Sequence, residues 1–145
     1  MENDKKSVSL LIKNELTKIA EKKNKILFFV VDTKGSPNSA LANIYEMALC
    51  LSKDGYDVSM LYDTKEFTGV ESWMGKEYSD LKHIDASSAK IDVSASDVLV
   101  IQDIFATVMN QTKDLPCKRI ILVQNLNYLT EMMPLGIQLG DYKIF

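Results

Sequence analysis

The chain has 145 residues, of which 46% are hydrophobic and 26% charged, and its formal net charge is −3. This size and composition predict one globular domain with a hydrophobic core of its own. They argue against a nucleic-acid-binding domain, which needs a strongly basic face, and no apolar run approaches the ~20 residues of a membrane span.

The first predicted element is an amphipathic helix over residues 7–22, which makes residues 1–24 an N-terminal segment ahead of a domain at 25–145. Its apolar positions recur at helical spacing: Val8, Leu11, Ile12, Leu16, Ile19 and Ala20. The polar start MENDKK does not fit a signal peptide, so we expect a cytoplasmic protein. The lysines of this helix suit peripheral contact with acidic lipid at the inner face of the membrane. The alternative is that the helix packs on the domain or on a missing partner.

A β-α-β unit follows. Residues Lys25–Asp32, KILFFVVD, form a continuous apolar run, as in a central strand of a parallel sheet that is buried on both faces. A loop then leads into a helix, for which Ser36 is the predicted N-cap and Pro37 the first helical residue. Gly55 is the predicted stop of that helix, and Asp57–Tyr62 is the second strand.

The rest of the chain continues the alternation of strands and helices. Residues 63–80 show no clear period, Leu81–Ile84 is a short candidate strand, and Asp97–Gln102 and Lys118–Gln124 are buried strands. A short helix is predicted through Ile104, Val108 and Gln111. Asp141–Phe145 resembles the start of a further strand, so we expect a chain cut from a longer protein. The predicted fold is α/β: a doubly wound, mainly parallel Rossmann-like sheet flanked by helices.

Ligands of such sheets bind beyond the carboxyl ends of the strands, near the point where the strand order switches. This rule selects the loops after the first, fourth and fifth strands, whose candidate ligand-binding side chains and backbone groups are Lys34, Gly35, Ser36, Asn38, Gln102, Asp103, Gln124, Asn125 and Tyr128. The alternative is that these residues only cap helices and stabilise turns. No GxGxxG or GxxxxGK[ST] motif is present, which argues against dinucleotide and P-loop sites.

The other chemically versatile residues are few. His83 is the only histidine, so a Ser-His-Asp relay could use no other, and we predict no metal site. Cys50 and Cys117 lack redox or metal spacing and are predicted to be reduced core thiols. Trp73 and the methionines are predicted to serve packing, and no cofactor is expected in this chain.

Three segments carry a resemblance to a known family: KILFFVVDTKGSPNSALANIYEMALCLSKDGYDVSMLY, SASDVLVIQDIF and CKRIILVQNLNYL. The sequence resembles the N-terminal half of GT-B glycosyltransferases, in particular family 4-like proteins, over residues 25–145. The resemblance implies that this half binds the acceptor, a sugar or lipid-linked sugar, while a missing C-terminal domain holds the nucleotide-sugar donor. The isolated chain should therefore be inactive.

The resemblance also implies roles for particular residues. Gly35 and its neighbours would face the cleft, and Gln102 and Asp103 stand where many members carry a histidine. Asp103 is then the weak candidate for a catalytic group that orients or deprotonates the acceptor hydroxyl. Two alternatives remain: a non-catalytic α/β binding domain, and a receiver-like regulatory domain, for which the expected acidic pair after the first strand is missing.

Overall fold

The computed structural model describes residues 9–12, 14, 24–63, 67, 69–127 and 139–145. Within them, six strands form one sheet: β1 Lys25–Phe29, β2 Asp57–Tyr62, β3 Lys82–Asp85, β4 Val98–Gln102, β5 Lys118–Leu122 and β6 Lys143–Ile144. The helices are α1 Ser39–Lys53, α2 Glu71–Met74, α3 Lys76–Ser79 and α4 Ala106–Gln111, with a 3₁₀ turn at Leu139–Asp141.

All neighbouring strands pair in parallel, in the order β3-β2-β1-β4-β5-β6. This is the order of doubly wound Rossmann-like sheets, and it confirms the predicted fold class. The order switches between β1 and β4, because β1 pairs with β2 on one side and with β4 on the other. Receiver-like domains have the order 2-1-3-4-5, so the receiver alternative does not fit.

The core has two layers, one on each face of the sheet. On one face α1 packs through Leu41, Ile44, Tyr45 and Ala48 against the apolar side chains of β1, β2 and β4. On the other face α4 contributes Val108 and Met109 to a second cluster. The strands are apolar on both faces because both are covered, which is why their sequences do not alternate.

The N-terminus of α1 differs from the prediction. The side-chain oxygen of Asn38 accepts a hydrogen bond from Leu41 N–H at 2.9 Å, so Asn38 is the N-cap and the helix begins at Ser39, two residues beyond Pro37. The Ser36 N–H donates instead to the Thr33 carbonyl at 3.1 Å, which closes a turn in the loop. The Ser36 and Pro37 prediction was wrong because Asn is as good an N-cap as Ser and lies closer to the apolar stripe.

Replacing Asn38, the observed N-cap, should therefore destabilise the protein more than replacing Ser36, the predicted one. We expect Asn38→Ala to lower the free energy of unfolding by about 1 kcal/mol, since Leu41 N–H loses its acceptor. Ser36→Ala is the matched control and should change it by less than about 0.5 kcal/mol. Urea unfolding of both variants checks this, and equal losses would contradict the assignment of the cap.

The amino edge of the sheet is held by Asp97, which is buried at 3% exposure. One of its oxygens, Oδ1, accepts the Lys25 N–H at 2.9 Å, and the other, Oδ2, accepts the Ser94 N–H at 2.8 Å. The Lys118 N–H donates to the Asp97 carbonyl at 3.0 Å. Asp97 therefore fixes the start of β1 against the loop before β4 and the start of β5.

The structure also bears on the predicted N-terminal helix, on membrane spans and on the two cysteines. Of the predicted helix 7–22, residues 9–12 and 14 have helical backbone, and the rest lies outside the described residues. Among the described residues, no helix is long and apolar enough to cross a membrane. Both cysteines are free, as predicted, but only Cys117 is a core residue, because Cys50 lies on the exposed side of α1.

Candidate functional site at the carboxyl edge of the sheet

The carboxyl ends of β1 and β4 mark the switch in strand order, and the predicted site residues surround this point. The loop after β1 carries Lys34, Gly35, Ser36 and Asn38, and the loop after β4 begins at Gln102 and Asp103. The loop after β5 carries Gln124 and Asn125, while Tyr128 lies outside the described residues. In open α/β sheets this crevice is where ligands bind.

The loop after β1 is a tight turn organised by Asp32. Its Oδ1 accepts the Lys34 N–H at 2.9 Å, and Lys34 Nζ lies 3.4 Å from Oδ2. Lys34 and Gly35 both have positive φ, 55° and 82°, which is the left-handed region that glycine adopts at no steric cost. A Cβ on Gly35 would lie 3.6 Å from Ser72 Oγ, so the loop approaches α2 closely here.

The loops after β4 and β5 are joined by two glutamine side chains. Gln124 Nε2 donates to the Ala40 carbonyl in the first turn of α1 at 2.9 Å, and Gln102 Nε2 donates to Gln124 Oε1 at 3.0 Å. A carbonyl can only accept, so the Ala40 carbonyl fixes the orientation of both amides. Gln102 Oε1 is then a buried acceptor, and among the described residues it has no partner.

Asp103 is 2% exposed and acts as a clamp between the same two loops. Its Oδ2 accepts the backbone N–H groups of Gln124 at 2.8 Å and Asn125 at 2.7 Å. Asn125 Oδ1 in turn accepts the Asn127 N–H at 3.0 Å. The second carboxylate oxygen, Asp103 Oδ1, is buried and has no hydrogen-bond partner among the described residues.

Four of the predicted residues, Gln102, Asp103, Gln124 and Asn125, are thus brought into one hydrogen-bonded group beside α1. The predicted residues of the first loop have contacts of their own. The Lys34 side chain is 61% exposed, and Asn38 uses its side chain to cap α1. The unpaired polar atoms of the group are both acceptors, so this part of the crevice suits a ligand that donates hydrogen bonds, such as a hydroxyl-rich molecule.

Sequence reasoning missed an aromatic cluster beside the first loop, formed by the buried Tyr45 and Tyr62 and the partly buried Phe67, Trp73 and His83. Phe67 stacks on the rings of Tyr62 and His83, with centroids 4.0 and 4.9 Å away, and Trp73 meets Tyr45 edge to face at 6.1 Å. The residues come from separate segments without a common period. The only signal in the sequence was the concentration of aromatic residues and the lone histidine in its uncertain middle.

A groove at the opposite, amino edge has a volume of about 670 Å³ but is a weaker candidate. Its lining includes Lys25, Asp92, Ser94 and Asp97. The Asp97 carboxylate and the Lys25 ammonium are taken up in bonds that hold the strands together, the ammonium by the Asp92 carbonyl. Among the described residues, no group of three or more His, Cys, Asp or Glu side chains is arranged to hold a metal ion.

The fold and the position of these residues define the class of the protein: a doubly wound, Rossmann-like α/β domain with a polar crevice at its switch point. No protein-family model, curated protein or solved structure matches the chain.

Proposed function

We propose that this domain is the acceptor-binding half of a GT-B type glycosyltransferase, whose nucleotide-sugar donor is held by a second domain outside this chain. The acceptor, a sugar or lipid-linked sugar, binds at the switch-point crevice. One observation carries the proposal: within the described part of the chain, two buried polar atoms of the crevice have no hydrogen-bond partner, and both of them, Gln102 Oε1 and Asp103 Oδ1, are acceptors. A sugar hydroxyl supplies the donor that each requires, whereas the ionised oxygens of a phosphate group can only accept.

In this proposal the domain contributes to the reaction by positioning the acceptor. The hydroxyl of the acceptor is held at the crevice, facing the donor, and loops exclude water from the reacting groups. Asp103 Oδ1 accepts from that hydroxyl or removes its proton, while Oδ2 keeps the loop after β5 in place. Because a second domain is needed for the donor, the isolated chain binds the acceptor but does not transfer sugar.

Binding by the 145-residue chain tests this proposal directly. We expect a panel of neutral methyl glycosides, followed by amide NMR, to include at least one that shifts the amides of Gln102, Asp103, Gln124 and Asn125 in a saturable way. UDP-glucose and GDP-mannose should leave these amides unchanged, because the donor belongs to the other domain. Saturable binding of inorganic phosphate or a nucleotide at these residues, or no response to any glycoside, would reject the proposal.

A pair of variants locates the binding. Gln102→Leu removes the unpaired acceptor, and we expect it to weaken glycoside binding about tenfold, the effect of roughly 1.4 kcal/mol. Asn24→Ala, at the amino edge, is the control and should leave the affinity unchanged. Equal affinity of wild type and Gln102→Leu would move the site away from the crevice.

A further inference from the structure

The side chain of Gln124 links the loop after β5 to the first turn of α1, where it donates to the Ala40 carbonyl. The strand order places β4 between β1 and β5, so this side chain reaches past the end of β4, where it also bonds Gln102. Gln124 is exposed, whereas Gln102 is 4% exposed. A residue at the surface therefore holds the amide of a buried one.

The bonds of Gln124 determine which way the Gln102 amide faces. The Ala40 carbonyl can only accept, so it takes the Nε2 end of Gln124 at 2.9 Å and leaves the Oε1 end for Gln102. Gln102 must present its own Nε2 to that oxygen, 3.0 Å away, so its Oε1 is the atom without a partner within the described part of the chain. Reversing both amides would set two acceptor oxygens against each other at Ala40. The unpaired atom is an acceptor because of the contacts of Gln124.

The loop that carries Gln124 is held through main-chain atoms. The backbone N–H groups of Gln124 and Asn125 donate to Asp103 Oδ2 at 2.8 and 2.7 Å. Because these donors belong to the backbone, a change of the Gln124 side chain leaves them in place. A substitution at this position can therefore change the orientation of the Gln102 amide without removing the clamp on the loop.

We propose that Gln124 is a positioning residue that makes the crevice select ligands with a free hydroxyl group at Gln102. This role rests on the proposed function, which places a hydroxyl-rich acceptor in the crevice, and it adds which group the acceptor presents there. A hydroxyl donates its proton to Gln102 Oε1. A methoxy or fluoro group at the same place has no proton to donate, so two acceptor atoms would face each other. The acceptor is therefore unsubstituted at that hydroxyl.

Two substitutions of Gln124 change its bonds in opposite ways. The ammonium of Gln124→Lys donates both to the Ala40 carbonyl and to Gln102, which draws Gln102 Oε1 toward it and turns Nε2 toward the ligand. The carboxylate of Gln124→Glu can only accept, so Gln102 keeps its orientation although the bond to Ala40 is lost. Gln124 is exposed, so the fold tolerates either charge. Asn24→Lys, at the amino edge, is the control for the added positive charge.

NMR of the full chain measures the orientation of the Gln102 amide without any ligand. In the wild type we expect nuclear Overhauser contacts between the side-chain NH₂ group of Gln102 and the side chain of Gln124. These contacts should persist in Gln124→Glu and weaken severalfold in Gln124→Lys, because the NH₂ group then points away from position 124. Contacts that are absent in the wild type, or unchanged in Gln124→Lys, would overturn the proposal even if glycosides bind.

Ligand selectivity tests the consequence for the acceptor. The probes are the methyl glycoside that the wild type binds and its single deoxyfluoro and O-methyl analogues. We expect one position at which both changes weaken binding to the wild type about tenfold, through loss of the hydrogen bond to Gln102. Gln124→Glu and Asn24→Lys should discriminate equally well, whereas Gln124→Lys should discriminate less than about threefold.

The outcomes separate this role from the proposed function. Discrimination by Gln124→Lys equal to that of the wild type would overturn the role of Gln124 and leave the glycoside site in place. Binding of no glycoside by any variant would reject the proposed function and the hydroxyl selectivity with it. The NH₂ contacts of Gln102 would then still show whether Gln124 orients the amide.

Discussion

Asp97→Asn should lower the free energy of unfolding by about 3 kcal/mol, among the largest losses expected for any single polar substitution in this chain. Each oxygen of the Asp97 carboxylate accepts a different backbone N–H, from Lys25 and from Ser94, and the residue is 3% exposed. An amide has only one oxygen, so its NH₂ group must face one of these N–H donors. Urea unfolding at pH 7 measures the loss.

The neighbouring Asp92→Asn is a matched control. The Asp92 side chain is 86% exposed, and its contact with Lys90 is 3.8 Å long, so its loss should cost less than about 0.5 kcal/mol. A similar stability of the two variants would contradict the role of Asp97.

The acid dependence of Asp97 has a definite sign. Burial alone would raise the pKa of Asp97, but the hydrogen bonds from Ser94 and Lys25 outweigh it and hold the pKa below its ordinary value of 3.8. The unfolded chain therefore binds the proton first as the pH falls. The stabilisation by ionised Asp97 is complete above pH 3.8 and is lost as the pH falls through the pKa of the folded state. The difference in the free energy of unfolding between wild type and Asp97→Asn should therefore become smaller below about pH 4.

Asp103 should respond differently to the same substitution. Its Oδ2 accepts both loop N–H groups and its Oδ1 accepts none, so an asparagine can keep its oxygen in the Oδ2 position. We expect Asp103→Asn to cost about 1 kcal/mol and Asp103→Ala, which leaves Gln124 and Asn125 N–H without an acceptor, about 2–4 kcal/mol. Equal losses in urea unfolding would show that the second oxygen has a partner of its own.

This difference makes Asp103→Asn the informative variant for catalysis. Because the asparagine preserves the loop, turnover by a longer protein that includes the donor domain would report only the loss of a basic carboxylate. If Asp103 removes the acceptor proton, we expect a 10²- to 10⁴-fold decrease in kcat. Undiminished turnover would leave Asp103 as a clamp and remove it from the chemistry.

Most of the fold could be predicted from the sequence because a parallel sheet buried on both faces leaves uninterrupted apolar strands. Asp57–Tyr62 was predicted with its observed bounds, and the strand at the end of the chain is present as β6. The strand β1 ends three residues earlier than predicted and β5 two residues earlier, because each predicted run continues past the last residue that pairs with a neighbouring strand. Residues 63–80 gave no period because α2 and α3 have four residues each, about one turn.

The position of the candidate site could be predicted from the sequence, but the contacts between its residues could not. The rule for carboxyl ends identified Gln102, Asp103, Gln124 and Asn125, and the structure joins them. The sequence could not indicate that Asp103 binds backbone rather than side chains, or that Ala40 orients two glutamines across the loops. Such bonds depend on where distant segments meet. The hydrogen bonds that join Tyr45, Tyr62 and His83 were missed for the same reason.

The pairing of β1 with β4 also has a kinetic consequence. The hydrogen bond from Lys25 N–H to Asp97 joins residues 72 positions apart, so the centre of the sheet cannot close until most of the chain is available. Loop closure of this length carries an entropic cost before any contact compensates for it, and sheets dominated by such pairings fold in milliseconds to seconds. Until β4 has been synthesised, one edge of the β1–β2 pair lacks its neighbouring strand, and an unpaired apolar edge of this kind favours aggregation of the incomplete chain.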